Sequence, residues 1–376
     1  MTDDQAILYV TKGLDIGGIE RIVVDLAIGM THRGIKAEVA VFNGTRDKMA
    51  GALVDAGVRV HTLGTSDLIS AGALRQLHCL TRSGDFSVVH AHGPLPAVAA
   101  RLVGGRTPVV STAHTVWPAL HPLTRMLWRS TWRRDGAVVT VSSAVAQSLP
   151  RRAAANARVI PHGVDLGAVE RTLGAASTAP RVGVRALCVA SHRDVKNYPH
   201  LLRSFAIARR SCPELSLVAV GDGPNLELHR QLVIELGIER SVVFEPATLR
   251  VLDVMAEADL LVVASDFEGQ PIVVMEAMAL GLAVVATAVG RVPELLSPSV
   301  GRIVPPRDSQ ALAAALVELG ENDELRLELG RRARSVSNTW TLTHVIEAHM
   351  ELYSTLSRRR AARNPFGRRV RKSGCR

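Results

Sequence analysis

The chain has 376 residues, more than a single hydrophobic core usually supports, so we expect two domains. Hydrophobic residues make up 47% of it and aromatic residues only 3%, a composition that suits helices packed on parallel sheets. Much of the net charge of +10 lies at one end, because residues 358–376 hold eight Arg, one Lys and no acidic residue. The rest is nearly neutral, so we expect no nucleic-acid partner.

The start of the chain, MTDDQAILYVTKG, is acidic and leads directly into a predicted strand. We therefore expect no secretory signal and a cytoplasmic location. The cysteines show no metal-ligand spacing and are interpreted as reduced thiols; they are Cys79, Cys188, Cys212 and Cys375.

Short β-rich segments alternate with helical patterns through residues 1–170, the predicted N-terminal Rossmann-like domain. The predicted strands are, in chain order, AILYVT, AEVAVF, SVVHAH, PVVSTAH, AVVTVS and ARVIPHG. This βαβ rhythm predicts an α/β fold with a parallel sheet covered by helices on both faces.

The rhythm restarts after a small, polar segment, residues 171–184, which is the predicted linker. The strands of the second Rossmann-like domain, residues 185–338, are RALCVAS, SLVAVGDG, SVVFEP, LLVVAS and LAVVAT. The most apolar stretch, residues 271–290, is interpreted as a helix, a turn and a buried strand, not as a membrane span. The basic tail, residues 358–376, has no hydrophobic period and is predicted to be disordered. Ligands bind doubly wound sheets at the carboxyl ends of their strands, so two such domains should face each other across a ligand-binding cleft.

The segment SDFEGQPIVVMEAMALG predicts a helix N-terminus suited to a phosphate. Pro271 fits the first helical position and Gly281 the residue just after the end, which leaves Glu268, Gly269 and Gln270 in the turn before the helix. Free backbone N–H groups and the helix dipole favour an anion there, and Gly269 permits close approach of a ligand.

A second carboxylate, Glu276, would lie about 7 Å farther along the same helix, near the spacing between a diphosphate and a ribose. A carboxylate accepts hydrogen bonds from two neighbouring hydroxyls, so Glu276 is predicted to bind the ribose and Glu268 the group beyond the diphosphate. The alternative is that Glu268 only occupies a favourable first-turn position and that Glu276 reaches solvent.

A departing diphosphate is stabilised by a metal ion or by fixed cations. The sequence contains no D-x-D pair, so no metal and no other cofactor is expected. Lys196 and Arg193, in ASHRDVKNYPHLL, lie in the strand-to-helix region at the expected ligand edge. The alternative is that both side chains belong to a loop exposed to solvent and bind no ligand.

Glycines follow two of the predicted strands. Gly17 and Gly18 come after the first strand, and Gly221 comes after SLVAV, followed by Asp222 and Gly223. Each turn could bring backbone amides to the donor, or simply close a βα connection. The absence of a G-x-G-x-x-G fingerprint argues against a nicotinamide dehydrogenase.

Four histidines lie near predicted strand ends. His114 ends a strand and could bond a sugar hydroxyl or an oxygen of the reacting centre. His90 and His92 share one face of a strand, have no third ligand cluster, and are interpreted as cleft-lining or structural, with His92 the more exposed. His162 is predicted to be a turn residue near the hinge.

The segment EGQPIVVMEAMALGLAVVATAVGRVPELL resembles the signature of the family-four retaining glycosyltransferases (glycosyl transferases group 1), with its E-x7-E element. Other segments resemble the family in the same order and extend the match over nearly residues 5 to 357. They are GLDIGGIERIVVDLAIGMTHRG, VVHAHGP, VVSTAH, VTVSSAVAQSL, VIPHGVD, VAVGDGP and NTWTLTHVIEAHMELYSTL.

The resemblance implies the GT-B architecture, with acceptor contacts in the first domain, donor contacts in the second, and a last helix, residues 339–357, that crosses back to the first domain. It implies transfer of a sugar from a UDP- or GDP-sugar to an unknown hydroxyl acceptor with retention, and the leaving phosphate helps to deprotonate the acceptor. The family pairs the lysine with an arginine at the position of Ser191, and Arg193 is the expected replacement. The predicted catalytic residues are His114, Glu268, Lys196 and Arg193, and the predicted donor-binding residues are Gly17, Gly18, Gly221, Gly269, Gln270, Pro271, Ile272 and Glu276.

Two other functions stay open, a nucleotide-sugar epimerase and a catalytically silent sugar-nucleotide-binding protein. The acceptor also stays open and includes lipid-linked saccharides, as in cell-envelope, glycolipid or polysaccharide biosynthesis. The helical pattern HPLTRMLWRSTWRRDG, residues 121–136, mixes Trp128 and Trp132 with arginines. Together with the basic tail it predicts peripheral contact with an anionic membrane at its inner face, and a packed helix with a solvated basic edge is the alternative.

Overall fold

The computed structural model describes residues 6–66, 69–175 and 183–363. It divides into two compact units. Unit 1 comprises residues 1–162 and 343–376, and unit 2 comprises residues 163–342.

Unit 1 is built on a parallel sheet whose central strands are short apolar runs buried on both faces. Its strands are β1 (Ala6–Thr11), β2 (Lys36–Val41), β3 (Arg59–Thr62), β4 (Phe86–His92), β5 (Val109–Ala113), β6 (Asp135–Thr140) and β7 (Ala157–Val159). Their order is β3-β2-β1-β4-β5-β6-β7, so the winding direction reverses between β1 and β4.

The helices of unit 1 cover both faces of this sheet. They are α1 (Gly18–Thr31), α2 (Ala50–Asp55), α3 (Ala71–Ser83), α4 (Pro94–Val103), α5 (Pro122–Thr131), α6 (Ser143–Ser148) and α7 (Arg151–Ala154). On one face, Leu77 of α3 and Ala100 of α4 pack with Leu8 and Val89 of the central strands. A smaller cluster gathers around Trp128 of α5.

Unit 2 repeats the plan with a second parallel sheet. Its strands are β8 (Val184–Val189), β9 (Leu215–Val220), β10 (Val242–Glu245), β11 (Leu260–Val263), β12 (Ala283–Thr287) and β13 (Arg302–Val304). Their order is β10-β9-β8-β11-β12-β13, and the reversal falls between β8 and β11.

The helices of unit 2 again lie on both faces, over two apolar clusters. They are α8 (Leu166–Ala175), α9 (Tyr198–Ser211), α10 (Leu226–Glu235), α11 (Val251–Ala256), α12 (Ile272–Leu280), α13 (Val292–Leu295), α14 (Ser309–Glu321) and α15 (Asp323–Ser337). The segment that is apolar enough to suggest a membrane span is α12 followed by β12, both buried in this unit. None of the helices in the described part of the chain is both long and apolar enough to cross a membrane.

The predicted linker, residues 171–184, is corrected by the structure. Helix α8 continues to Ala175 and buries Val169 in unit 2, and β8 already begins at Val184. Residues 163–170, predicted in the first domain, also belong to unit 2. The small residues of this segment suggested a loop, but a helix forms because its apolar face packs on α11 and α12. The rest of the predicted linker, residues 176–182, lies outside the described residues.

The C-terminal segment also differs from the prediction. Helix α16 runs from Leu342 to Arg363, six residues into the predicted basic tail, and residues 364–376 lie outside the described residues. Its residues from Thr343 onward belong to unit 1, where Tyr353 is fully buried. The helix continues into the tail because packing extends that far, and Nη1 of Arg360 donates to the carbonyl of Phe86 at 2.9 Å.

Candidate active site

The two loops that follow β8 and β11 meet at the point where the second sheet reverses its winding. Neighbouring parallel strands leave a crevice at such a point, because the chain departs to opposite faces of the sheet. The loop after β8 carries Lys196 at the end of a short 3-10 turn, and the loop after β11 carries Glu268. Strand order therefore brings these two predicted catalytic residues to one place.

Lys196 and Glu268 form an ion pair, with 2.6 Å between Nζ and Oε1. The hydroxyl of Ser265 donates to the same carboxylate oxygen at 2.7 Å. Glu268 is buried, and the lysine side chain is about three-quarters covered. A lysine ammonium has three donors, so a ligand oxygen can join Glu268 around Nζ without displacing it.

A second set of polar contacts holds these two loops together. Asp266 accepts from Nδ2 of Asn197 at 2.8 Å and from Nη2 of Arg307 at 2.7 Å, and its backbone N–H donates to the carbonyl of Val195. The hydrogen bond from Arg307, followed by the one from Asn197, lowers the pKa of Asp266. The network ties the residues next to Lys196 to the residues next to Glu268, which fixes the ion pair in position. Asp266 and Arg307 were not predicted, since the partners are far apart in sequence.

Helix α12 begins at the predicted turn, one residue later than expected. Pro271 has extended backbone angles and is the N-cap, so Ile272 is the first helical residue. Gly281 ends the helix in the left-handed conformation, as predicted. Gly269 and Gln270 lie in the turn before the helix, and Nε2 of Gln270 donates to Sδ of Met275 at 3.0 Å. The N-terminal turn of α12 thus follows Glu268 directly.

Glu276 is buried, with 7% of its surface exposed, in a helix whose neighbouring residues from Val274 to Leu280 are all buried and otherwise apolar. Only a small part of its surface reaches solvent, which argues against the alternative that Glu276 extends into solvent. Burying a carboxylate is costly unless polar groups compensate for it, so its place in this helix calls for a polar environment.

A third loop, which follows β12, packs on the same turn. Gly290 has φ +54°, and a side chain there would overlap the carbonyl of Glu268. The next residue, Arg291, donates its backbone N–H to the carbonyl of Gly269 at 3.3 Å and its Nε to Glu294 at 2.6 Å. Its Nη1 is buried and has no hydrogen-bond partner among the described residues. The segment AVGRVPELL, part of the family resemblance, contains Gly290 and Arg291. Its local pattern does not predict that these residues pack against residues 268–269.

The remaining predicted residues of unit 2 lie at the end of β9 and around β8. Gly221 and Gly223 allow the two strand ends to approach, because a side chain on either would overlap the backbone of Ala190 or His192. Strand packing alone accounts for these glycines, and donor contact by Gly221 stays a prediction. Arg193 is exposed, and its side chain has no hydrogen bond or ion pair within the described part of the chain.

In unit 1, Gly17 and Gly18 lie where the chain enters α1. Gly17 is the N-cap in extended conformation, and Gly18 is the first helical residue. A side chain at Gly17 would overlap the carboxylate of Glu20, whose pKa is raised by burial. A carboxyl group therefore already occupies this helix start, and phosphate contact by the two glycines stays a prediction.

His114, which is half-buried, lies beside the buried His92 at the carboxyl ends of β5 and β4. Its Nε2 lies 3.2 Å from Nδ1 of His92, and its ring stacks on that of His162 at 5.6 Å between centroids. Burial lowers the pKa of His114 to about 3 and holds the pKa of His92 well below its usual range. Both rings are therefore neutral at pH 7 and can act as hydrogen-bonding groups.

His90 joins the sheet to the last helix. Its Nδ1 is 2.6 Å from the hydroxyl of Tyr353 in α16, and its Nε2 is 2.7 Å from the hydroxyl of Thr112. His90 is structural, one of the two predicted alternatives. Both rings are buried, with 0% of His90 and 2% of His92 exposed, so the predicted difference in exposure between them is small.

Across residues 6–66, 69–175 and 183–363, no group of three or more His, Cys, Asp or Glu side chains is arranged to hold a metal ion. This finding covers His90 and His92, whose spacing alone resembles a ligand pair.

Two family models match the chain, one in each half. The model of Glycosyltransferase Family 4 matches residues 16–168, and the model of Glycosyl transferases group 1 matches residues 179–336. The D-inositol 3-phosphate glycosyltransferase of Saccharomonospora viridis is 28% identical over 90% of this chain and 89% of its own. The phosphatidyl-myo-inositol mannosyltransferase of Mycolicibacterium smegmatis is 26% identical over 91% of each chain.

Solved structures of similar fold include the HepE protein of Anabaena in complex with UDP and glucose, with a TM-score of 0.80 at 19% identity over 93% of this chain and 99% of that one. The sucrose-phosphate synthase of Thermosynechococcus elongatus has a TM-score of 0.78 at 19% identity over 94% of this chain and 99% of that one. These likenesses confirm the predicted fold class. The chain therefore belongs to the group 1 glycosyltransferases of GT-B fold, and it is a glycosyltransferase enzyme.

Proposed function

We propose that the protein is a retaining, metal-independent glycosyltransferase that moves a sugar from a UDP- or GDP-sugar to a hydroxyl acceptor in cell-envelope, glycolipid or polysaccharide biosynthesis. The observation that carries the proposal is the ion pair of Lys196 and Glu268 at the winding reversal of the second sheet, directly before α12. The HepE structures with UDP and with UDP-glucose support a nucleotide-sugar donor.

In this proposal the diphosphate binds at the first turn of α12. The backbone N–H groups there lack helical partners, and the helix dipole favours negative charge. Glu276 then lies about 7 Å along the helix from Pro271, where it accepts hydrogen bonds from the ribose hydroxyls. The position of Glu276 on the same helix as the proposed diphosphate site supports this role.

Lys196 and Glu268 act on opposite ends of the bond that breaks. The bond from the anomeric carbon to the diphosphate breaks, and Lys196 stabilises the negative charge on the leaving oxygen, with Arg193 as a second cation. Glu268 accepts hydrogen bonds from the donor sugar and supports the positive charge that develops near the anomeric carbon. The acceptor oxygen bonds to the same face of that carbon, and its proton passes to the leaving phosphate. The neutral ring of His114 bonds an oxygen of the reacting centre through Nδ1, because its Nε2 is engaged by His92.

The test measures binding first. We expect UDP or GDP to raise the melting temperature, because a ligand that binds only the folded state stabilises it. The absence of a shift with UDP, GDP, UDP-glucose and GDP-mannose would overturn the donor assignment.

Retention and metal independence are tested by the slow hydrolysis of the sugar nucleotide that binds. Proton NMR identifies which anomer of the sugar forms first. From an α-linked donor we expect the α anomer first, at equal rates with and without EDTA. The β anomer first would contradict retention, and loss of hydrolysis in EDTA would contradict metal independence. Glu276→Gln should weaken nucleotide binding in the melting-temperature assay. Glu235→Gln, at an exposed position of α10, is the control.

We also propose peripheral contact with an anionic membrane through α5 and its neighbours. Trp128, predicted at the interface, is buried instead, but Leu123 is 54% exposed and Met126 is 59% exposed. Arg129, Arg133 and Arg134 are exposed beside them, within the predicted segment 121–136. Basic groups contribute about 1 kcal/mol each near an anionic surface, so the patch supports weak, salt-dependent binding.

Flotation with vesicles of phosphatidylserine and phosphatidylcholine tests this contact. We expect the intact chain to float with these vesicles and the double variant Leu123→Ser, Met126→Ser to float less. Neither protein should float with vesicles of phosphatidylcholine alone. A chain that ends at Arg363 measures the contribution of the remaining tail. Equal, negligible flotation of all three proteins on anionic vesicles would end the proposal.

A further inference from the structure

A small apolar cavity opens in unit 1 beside His114, among the starts of α1 and α4 and the loop after β5. Its volume is about 40 Å³, and its wall includes Ile19, His114, Trp117, Leu120, Trp128 and Leu149. It lies at the carboxyl ends of the strands, the edge at which doubly wound sheets bind ligands. The chain enters α4 through Gly93, whose φ of +93° is available to glycine at low cost.

Contacts on the side away from the cavity fix the tryptophans of its wall in position. Trp117 packs edge-on against Trp128 with 5.1 Å between centroids, and Trp128 stacks on Trp132 at 6.2 Å. The guanidinium of Arg101 lies 4.9 Å from the Trp128 ring, and its Nε donates to Asp135 at 2.7 Å. Both charged side chains are buried, so this pair fixes the tryptophan without reaching the cavity.

His114 brings a polar group to the wall of the cavity, and His92 lies next to it outside the lining. Nδ1 of His114 and Nε2 of His92 are buried and have no hydrogen-bond partner among the described residues. The other nitrogens of the two rings bond to each other. In a neutral pair one ring donates to the other, so the two free nitrogens are always one donor and one acceptor, whichever tautomer forms. A hydroxyl group satisfies either arrangement, because it both donates and accepts.

We propose that this cavity binds an apolar group of the acceptor, next to an acceptor hydroxyl that is hydrogen-bonded to His114. The assignment of the occupant as the acceptor rests on the proposed function; the cavity and its polar group do not. By this measure of volume, a cavity needs roughly 10–15 Å³ to hold one water molecule, so a cavity of about 40 Å³ holds a short alkyl group or the first carbons of a chain. The acceptor class is therefore a hydroxyl compound with an alkyl substituent, which a lipid-linked saccharide provides and a free sugar does not.

The test uses glucose and methyl, butyl and hexyl β-glucosides below their micelle concentrations, with intrinsic tryptophan fluorescence as the readout. Affinity should rise about fourfold for each methylene that enters the cavity, and then level off when the cavity is full. Leu120→Phe fills the cavity and should remove this dependence. Leu149→Phe fills it from the other wall, in case the first variant folds poorly. The matched control is Leu102→Phe, at an exposed position of α4 outside the lining.

Equal affinity of the wild type for all four compounds, or the same dependence in Leu102→Phe and both filling variants, would overturn the inference. The thermal shift with UDP and GDP is measured on the same proteins. A retained nucleotide shift with no chain-length dependence removes the cavity assignment alone. Chain-length dependence without any nucleotide shift removes the proposed donor while the alkyl site stands.

Discussion

Nζ of Lys196 lies 2.6 Å from Oε1 of Glu268, although 72 positions separate the two residues in the sequence. The lysine belongs to the loop after β8 and the glutamate to the loop after β11, and these strands are neighbours in the sheet. A cation and a carboxylate are thus held together at the point where the sheet reverses its winding, which is the donor site of the proposed function.

The first prediction is that this pair contributes to stability and the lysine separately to binding. Lys196→Met leaves the buried carboxylate of Glu268 without its cation, which should lower the free energy of unfolding by about 2 kcal/mol. Adding Glu268→Gln should recover about half of that loss, because the unpaired charge is removed. Urea denaturation measures both variants.

Binding separates the roles of the two residues. The rise in melting temperature with nucleotide should be lost in Lys196→Met and in the double variant. It should be retained in Lys196→Arg and in Glu268→Gln alone. Full additivity of the two substitutions in stability would show that the pair is not energetically coupled.

The second prediction concerns Glu276. If its carboxylate binds the ribose hydroxyls, wild-type protein should bind UDP or GDP about tenfold more tightly than the 2′-deoxy nucleotide, which corresponds to about 1.4 kcal/mol. Glu276→Gln should bind both forms equally. Isothermal titration calorimetry measures the four constants, and an undiminished preference in the variant would place the ribose elsewhere.

The third prediction tests the loop after β12. Gly290→Ala forces a side chain onto the carbonyl of Glu268 and should lower the free energy of unfolding by about 2 kcal/mol. The matched control is Gly174→Ala in α8, where the added methyl group meets no atom within 4 Å, and which should stabilise by about 0.5 kcal/mol. Thermal denaturation compares them, and equal melting temperatures would contradict the close approach.

The fourth prediction concerns pH. Burial lowers the pKa of His349 to about 4 and that of His114 to about 3, so the folded protein keeps both rings neutral where the unfolded chain, near its ordinary value of 6.5, binds protons. The unfolded state gains more protons as pH falls, so stability should decrease from pH 6.5 toward pH 4. His349 alone contributes roughly 3 kcal/mol over this range, at 1.36 kcal/mol per pH unit.

Melting temperatures measured from pH 7.5 to 4.5 test this effect. His349→Gln keeps a donor for the carbonyl of Val345 and should flatten the dependence, whereas His32→Gln, at an exposed position, should leave it unchanged. A steeper fall of the melting temperature with decreasing pH in His349→Gln than in wild type would contradict the predicted direction of the effect.

The central strands were predictable because their patterns are unambiguous. β1 and β12 are short, apolar and buried on both faces, which is typical of parallel sheets. β3 and β13 were missed, since each is a short edge strand of mixed polarity that is only partly buried. The boundary between the two units was predicted too late in the chain, because the burial of Val169 in unit 2 depends on helices that come much later.

The sequence by itself determined two α/β units, the family resemblance, and the local environment of Glu268, Gly269 and Lys196, because each depends on residues close together in the chain. Only the tertiary structure decided that Lys196 pairs with Glu268, that Gly290 packs on the same turn, and that His92 and His114 share a buried hydrogen bond. The physical reason is strand order. Which loops meet at one edge of a sheet depends on how the whole chain packs, and no local pattern encodes that order.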